Sequence, residues 1–196
     1  MAQIVLVRHG ETAWSRSGRH TGRTDVPLTD LGRRQAAALA GTLDALRPTR
    51  VLASPLRRAW ETAELAGLVP EPDERLVEWD YGAYEGLTTE QIRERRGDRW
   101  TVFRDGVEPG ETPGESLEDV AARAAGVLAD VAPVVDDGGT VMLVAHGHLL
   151  RVLASRWLQL PPEAGARFVL DAASVSRLGR EHGTAAVLSW NQTPAA

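Results

Sequence analysis

Residues 4–12 read Ile-Val-Leu-Val-Arg-His-Gly-Glu-Thr, and no other stretch limits the fold as tightly. Four consecutive apolar residues, most of them β-branched, cannot turn one face to water. The run is therefore expected as a strand buried on both sides. It stops at Arg8, His9 and Gly10, where a cation, an imidazole and a flexible backbone meet. Open α/β sheets bind ligands outside the C-terminal ends of their strands, so this ending puts chemistry at a turn.

The pattern recurs. Residues 140–145 form a second apolar run, which ends in His146-Gly147-His148. A shorter run at 50–53 ends in Ser54-Pro55. Between these strands lie helical patterns. Residues 28–46 carry apolar side chains at helical spacing behind a Thr29 N-cap, with Pro48 beyond the end. Ser54-Pro55 resembles an N-cap and first helical residue for a helix reaching about Gly67. Ser116-Leu117-Glu118-Asp119 has the form of a capping box opening a long helix to about Val135. A further helix is expected over 149–160, before Pro161-Pro162. The last part holds two β-like runs, 174–178 and 185–189, around a hairpin turn at 180–183 that includes His182; the tail 191–196 is expected to fray. Strands alternating with helices predict an α/β fold: a three-layer α/β/α sandwich whose central sheet is mostly parallel with an antiparallel edge.

The length of 196 residues suits a single domain. Residues 13–25 are expected as a donor-rich loop, and about 80–115 as a short helix and an irregular lid over the site. No apolar run is long enough to span a bilayer or to serve as a signal peptide, so no membrane partner is expected. The chain has no cysteine, which excludes disulfides, thiolate metal sites and cysteine nucleophiles and fits a cytoplasmic location. All 22 basic residues are arginine, so a Schiff-base or phosphate-loop lysine is excluded as well. With a net charge of −5 and no basic stripe, nucleic acid is not an expected partner.

Three strand ends on one rim would gather Arg8, His9, His146 and one of the pair Arg57-Arg58. That pair lies in the first turn of its helix, where free amides already favour an anion; successive helical residues diverge by about 100°, so one arginine faces the site. Two guanidiniums and two imidazoles around one small volume make an oxyanion site, for which phosphate is the natural guest. One histidine can act as nucleophile if a hydrogen bond fixes its tautomer. The stretch 78–86 mixes carboxylates with aromatics, which suits a general acid, but spacing does not choose among Glu78, Asp80 and Glu85. Among the tryptophans, all but Trp14 and Trp79 are expected in the core.

Arg8-His9-Gly10-Glu11-Thr12 resembles the signature of the histidine phosphatase superfamily, the phosphoglycerate-mutase-like fold. Further blocks match in order: Thr21-Gly22 with Leu28-Thr29 and Gly32; Ser54-Pro55-Leu56 with Arg58-Ala59 and Thr62-Ala63; Glu78 with Tyr81-Gly82 and Glu85-Gly86; and His146-Gly147. Each block is weak alone, and the ordered set is specific. The resemblance implies that His9 is the residue phosphorylated, that Arg8, Arg58 and His146 form the phosphate pocket with help from the Gly147 amide, and that Glu78 is the proton donor. It implies a phosphomonoesterase with no cofactor and no metal, acting on a small-molecule phosphate ester, and a homodimer as the one protein partner.

Within the family, the chain is most similar to the subgroup of mycobacterial-type acid phosphatases and sedoheptulose-1,7-bisphosphatases. Ser15, His20, Thr21, Gly22, Tyr81, His148 and Arg151 are the candidate substrate-binding residues, the surplus cations and imidazoles suiting a second anion. Phosphoglycerate mutase is the alternative activity, disfavoured because Arg95-Arg96 lacks the insertion pattern of cofactor-dependent mutases. A non-catalytic phospho-ligand-binding protein is the alternative from another class, and such members usually lose the nucleophile or the acid. His146-x-His148 as a metal pair, and His148 as a helix cap, are the plainer readings of those two residues.

Overall fold

The apolar run at the N-terminus is β1 (Gln3–Arg8) in the structure, a computed structural model that describes residues 2–193. It lies inside a six-stranded sheet of order β3-β2-β4-β1-β5-β6, with β2 Arg50–Ala53, β3 Glu71–Pro72, β4 Thr140–Ala145, β5 Val175–Glu181 and β6 Thr184–Gln192. β1 runs parallel to β4, which is parallel to β2; β5 and β6 are antiparallel. The parallel strands with an antiparallel edge are those expected. β3 was not foreseen: its two residues, one of them proline, suit only a sheet edge.

Burial on both faces explains the unbroken apolar runs. Ile4 and Leu6 pack with residues of α7 (Leu117–Asp136) and α8 (Gly147–Trp157). Val5 and Val7 point to the other face, against Leu39, which follows α2 (Asp30–Ala38), and residues of α3 (Ala40–Ala45) and α4 (Arg57–Leu65). Residues alternate between layers because strand side chains alternate between faces.

Helix ends differ from expectation in four places. Residues 28–46 hold two helices rather than one, broken at Leu39, although Thr29 does cap the start by accepting the Gly32 amide at 3.0 Å. Ser54 is not the N-cap of α4. That position belongs to Leu56, which makes no side-chain cap; the Ser54 hydroxyl accepts the Leu56 amide at 3.3 Å and also meets His146. Helix α8 begins at Gly147, two residues early, because His146 takes the cap position in extended backbone. Residues 13–25 are not wholly loop: α1 (Ala13–Arg16) is a helical turn with a capping box between Thr12 and Ser15. The capping box at Ser116 and Asp119 forms as expected.

Between β3 and α7 lie α5 (Thr89–Arg96) and α6 (Val102–Asp105), and Ile92, Trp100 and Phe103 from this stretch are buried in the main core. Trp79 also belongs to the core, at 0 % exposure, contrary to expectation. The β5–β6 turn falls at His182-Gly183, both with positive φ, as a two-residue hairpin requires. Asn191 and Gln192, expected to fray, belong to β6; residues 194–196 of that tail lie outside the described residues. Among the described residues, no helix is long and apolar enough to cross a membrane.

Candidate active site

The ends of β1, β2 and β4 meet on one rim of the sheet. His9 follows β1, and its backbone amide donates to Ala145 at the end of β4. Its Nδ1 lies 2.8 Å from the Gly10 carbonyl. A carbonyl only accepts, so Nδ1 carries the proton and Nε2 keeps its lone pair. Burial, then Arg58 and Arg8, hold the imidazole well below its ordinary pKa, so it is neutral.

His146 has the opposite tautomer. Arg58 Nε donates to its Nδ1 at 3.1 Å, and an arginine has no acceptor to offer in exchange. Nε2 therefore carries the proton and donates to the Ser54 hydroxyl at 2.8 Å. Burial and the Arg58 charge hold this ring, too, well below its ordinary pKa. The two rings meet edge to face with centroids 5.2 Å apart.

The two arginines do different work. As expected, only one of the helical pair turns inward: Arg58 is buried and Arg57 exposed. Arg58 spends its donors on protein, giving hydrogen bonds to the carbonyls of Thr21, Gly22 and Thr24 besides His146. The amides of Gly22 and Thr24 are taken by the Glu85 carboxylate, so this loop is held from both sides. Arg8, by contrast, donates one nitrogen to the Leu170 carbonyl and leaves its buried Nε with no partner. The segment carrying Leu170 is itself tied to β6, Asn191 holding Asp171 and the Trp190 indole donating to Val169.

A cavity of about 210 Å³ opens over this rim. Arg8, His9, Glu78 and Gly147 line its floor; Ser15, His20, Thr21, Tyr81, His148 and Arg151 line its walls. Arg58, His146 and Gly22 do not line it. The two buried side chains lie behind His9, and Gly22 acts through backbone: a Cβ there would sit 2.5 Å from the Trp79 carbonyl. Gly18, Arg19, Thr89 and Leu170 complete the lining without having been singled out.

Geometry separates the three carboxylates. Asp80 holds the Gly82 amide and the Thr112 hydroxyl, and Glu85 holds the Gly22 loop; of the three, Glu78 alone lines the cavity. Its two oxygens accept the amides of Trp79, His148 and Leu149, at 2.9–3.0 Å. Two of those amides belong to the first turn of α8, which is why that helix can begin early. Among the described residues the Gly147 amide, first in the helix, has no partner, and a helix N-terminus of this kind suits an anion.

His148 is thus inside the helix and not its cap. Its Nδ1 shares a hydrogen bond with the Tyr81 hydroxyl, whose pKa burial pushes well above the ordinary value. Burial holds the ring neutral. His20 stacks on it at 5.9 Å, with Nδ1 donating to the Leu87 carbonyl. Arg151 lies over the Phe103 ring at 4.7 Å and donates Nε to the Gly165 carbonyl, leaving its terminal nitrogens without a protein partner among the described residues. The Ser15 hydroxyl is committed to the Thr12 backbone. Among the described residues, no group of three or more His, Asp or Glu is arranged to hold a metal ion.

The family model for the histidine phosphatase superfamily (branch 1) matches residues 4–193. The chain belongs to that superfamily. An acid phosphatase of Mycobacterium tuberculosis is 48% identical over 185 residues, covering 92% of this chain and 88% of the relative. The sedoheptulose 1,7-bisphosphatase of Saccharomyces cerevisiae is 35% identical over 189 residues, covering 81% and 68%. A solved structure of an open reading frame from M. tuberculosis superposes with a TM-score of 0.91 at 43% identity, covering 98% of each chain. The fold of this superfamily member is the phosphoglycerate-mutase-like α/β sandwich.

Sequence reasoning missed the supports of the site. Ser54 stood in a matched block and was read as a helix cap, with no role toward His146. Thr62, which accepts the Gly10 amide at 3.0 Å, stood in a matched block without a role. Nothing local marks Glu115, just before α7, or Arg123, within it, whose contacts reach the Glu78 loop.

Proposed function

We propose that this protein is a metal-independent phosphomonoesterase working through a phosphohistidine at His9. One observation carries the reading: His9, whose Nε2 keeps its lone pair, lines one cavity together with Arg8, Glu78 and Gly147.

Nε2 attacks phosphorus in line, forming the N–P bond as the bond to the ester oxygen breaks. The equatorial oxygens take hydrogen bonds from Arg8 and Gly147, with the Arg58 charge behind them. Glu78 gives its proton to the leaving alcohol oxygen. As carboxylate it then takes a proton from water, which attacks phosphorus and returns His9 with inorganic phosphate.

His20, Tyr81, His148 and Arg151 are the side chains placed to meet the rest of the substrate, with Thr21 and Ser15 shaping the wall. Small phosphorylated metabolites fit a cavity of this size and polarity. The names of the two relatives offer a broad acid phosphatase and a sugar bisphosphatase as the specific forms. On this reading 1–196 is one cytoplasmic domain, with 80–115 covering the site.

The test is release of inorganic phosphate, with chelator present, from 3-phosphoglycerate, fructose 1,6-bisphosphate, sedoheptulose 1,7-bisphosphate and p-nitrophenyl phosphate. Wild type releases phosphate and His9→Ala does not. Interconversion of 2- and 3-phosphoglycerate without release would make the protein a mutase instead.

A further inference from the structure

Glu78 stands on no regular element. It lies between two short 3-10 turns, Glu74–Leu76 and Gly82–Tyr84. Yet the groups on both flanks of it converge on one ion pair. Arg123 of α7 donates Nη1 to the carbonyls of Arg75, at 2.8 Å, and Val77. Its Nε and Nη2 bond both carboxylate oxygens of Glu115 at 2.8 and 2.9 Å. Glu115 accepts the Asp80 amide through its carboxylate at 2.9 Å and the Trp79 indole through its carbonyl at 2.8 Å. Its own amide donates back to the Asp80 carbonyl at 3.0 Å. Residues 75, 77, 79 and 80 are therefore all held by this pair, two before Glu78 and two after.

The side chains are 14% and 16% exposed. A buried ion pair adds little stability over apolar packing of the same shape, so stability alone is a poor reason for this one. Its bonds fall on the chain that carries Glu78. Only the arginine fork can bridge two carbonyls and both carboxylate oxygens at once; a lysine offers a single point charge.

We propose that Arg123 and Glu115 are positioning residues for phosphoryl transfer, fixing the backbone on either side of Glu78 so that its carboxyl meets the leaving oxygen. The proposal rests on the reading of Glu78 as proton donor. An alkyl alkoxide needs that proton to leave, whereas p-nitrophenolate leaves without it. The value of kcat/KM reports the steps through loss of the alcohol and excludes the later hydrolysis.

The experiment compares kcat/KM for the alkyl phosphate that wild type hydrolyses best with that for p-nitrophenyl phosphate. Arg123→Lys is expected to lower the first about 30-fold and the second less than about threefold, as misplacement of a general acid predicts. Glu78→Gln should show the same split more strongly, and Glu78→Gln/Arg123→Lys should be no worse than Glu78→Gln. Because Arg123→Ala strands the Glu115 charge, the second variant is the charge-free pair Arg123→Met/Glu115→Gln, which should repeat the split. Equal losses on both substrates, or additive losses in the combined variant, overturn the positioning role. Failure of Glu78→Gln itself to separate the substrates overturns the proton-donor reading, and the proposal with it.

Discussion

The two strand ends that carry His-Gly look alike in sequence and are opposite in chemistry. At β1, His9 gives its Nδ1 proton to a carbonyl and presents a lone pair at Nε2. At β4, His146 accepts from Arg58 at Nδ1 and presents a proton at Nε2. Both rings are buried and both are neutral. Their difference comes from one neighbour each: an acceptor beside the first, a donor beside the second. A strand–histidine–glycine pattern therefore delivers an imidazole to the rim, and the partner of Nδ1 decides whether it is a nucleophile or a donor. The glycines differ as well. A Cβ on Gly10 would lie 2.4 Å from the Gly32 carbonyl, a backbone atom with nowhere to go, whereas one on Gly147 would meet the Arg8 side chain at 3.3 Å.

The largest effect expected from breaking this comparison is on turnover. His9→Ala should lower phosphate release on the order of 10⁵-fold, since it removes the attacking nitrogen. His146→Ala, which removes charge stabilisation and support, should lower it on the order of 10²–10³-fold. Equal losses in phosphate-release assays would mean that the tautomers do not define the roles.

Gly10→Ala should destabilise the fold by about 3 kcal/mol, as forced overpacking does, and Gly147→Ala by less than about 1 kcal/mol while still impairing activity through Arg8. Urea denaturation of the two variants checks the contrast.

Acid sharpens the comparison from another side. His9, His20, His146 and His148 all have folded pKa values below the ordinary 6.5. Above pH 6.5 both folded and unfolded chains hold these rings neutral, and their contribution is complete. Below it the unfolded chain binds protons first, so stability is lost as pH falls, by up to about 1.4 kcal/mol per pH unit for each ring. Denaturation midpoints at pH 7 and pH 5 should show the loss, and a variant replacing either site histidine with glutamine should flatten it.

A modest effect is expected from Ser54→Ala, which leaves the His146 Nε2 proton without its acceptor. It should cost about 1–2 kcal/mol and lower turnover about tenfold with KM little changed.

Much of this was legible in the chain. The paired strand ends, the inward Arg58 and the sheet direction follow from apolar period and helix geometry, which are local. The tautomers were not legible, because they depend on Gly10 bending its own carbonyl back and on Arg58 arriving from another strand end. Arg58 itself does not line the cavity, its fork filled by carbonyls of a loop more than 30 residues away. Ser54 looked like a cap because Ser-Pro usually is one; its hydroxyl had a better partner in His146. Glu115 and Arg123 left no trace, since a capping box and a helical stripe account for their neighbourhood.

The position of β1 has a consequence for how the molecule comes to exist. β1 is an inner strand, and both of its neighbours lie far along the chain: β4 at residues 140–145 and β5 at 175–181. During synthesis the Ile-Val-Leu-Val run must wait, edges unpaired, until those residues have been made. Arg8 waits longest, because the Leu170 carbonyl that orients it is braced from residues 190 and 191. A nascent fragment that stops short of residue 190 thus carries His9 and Arg8 without the bonds that brace the Leu170 segment against them.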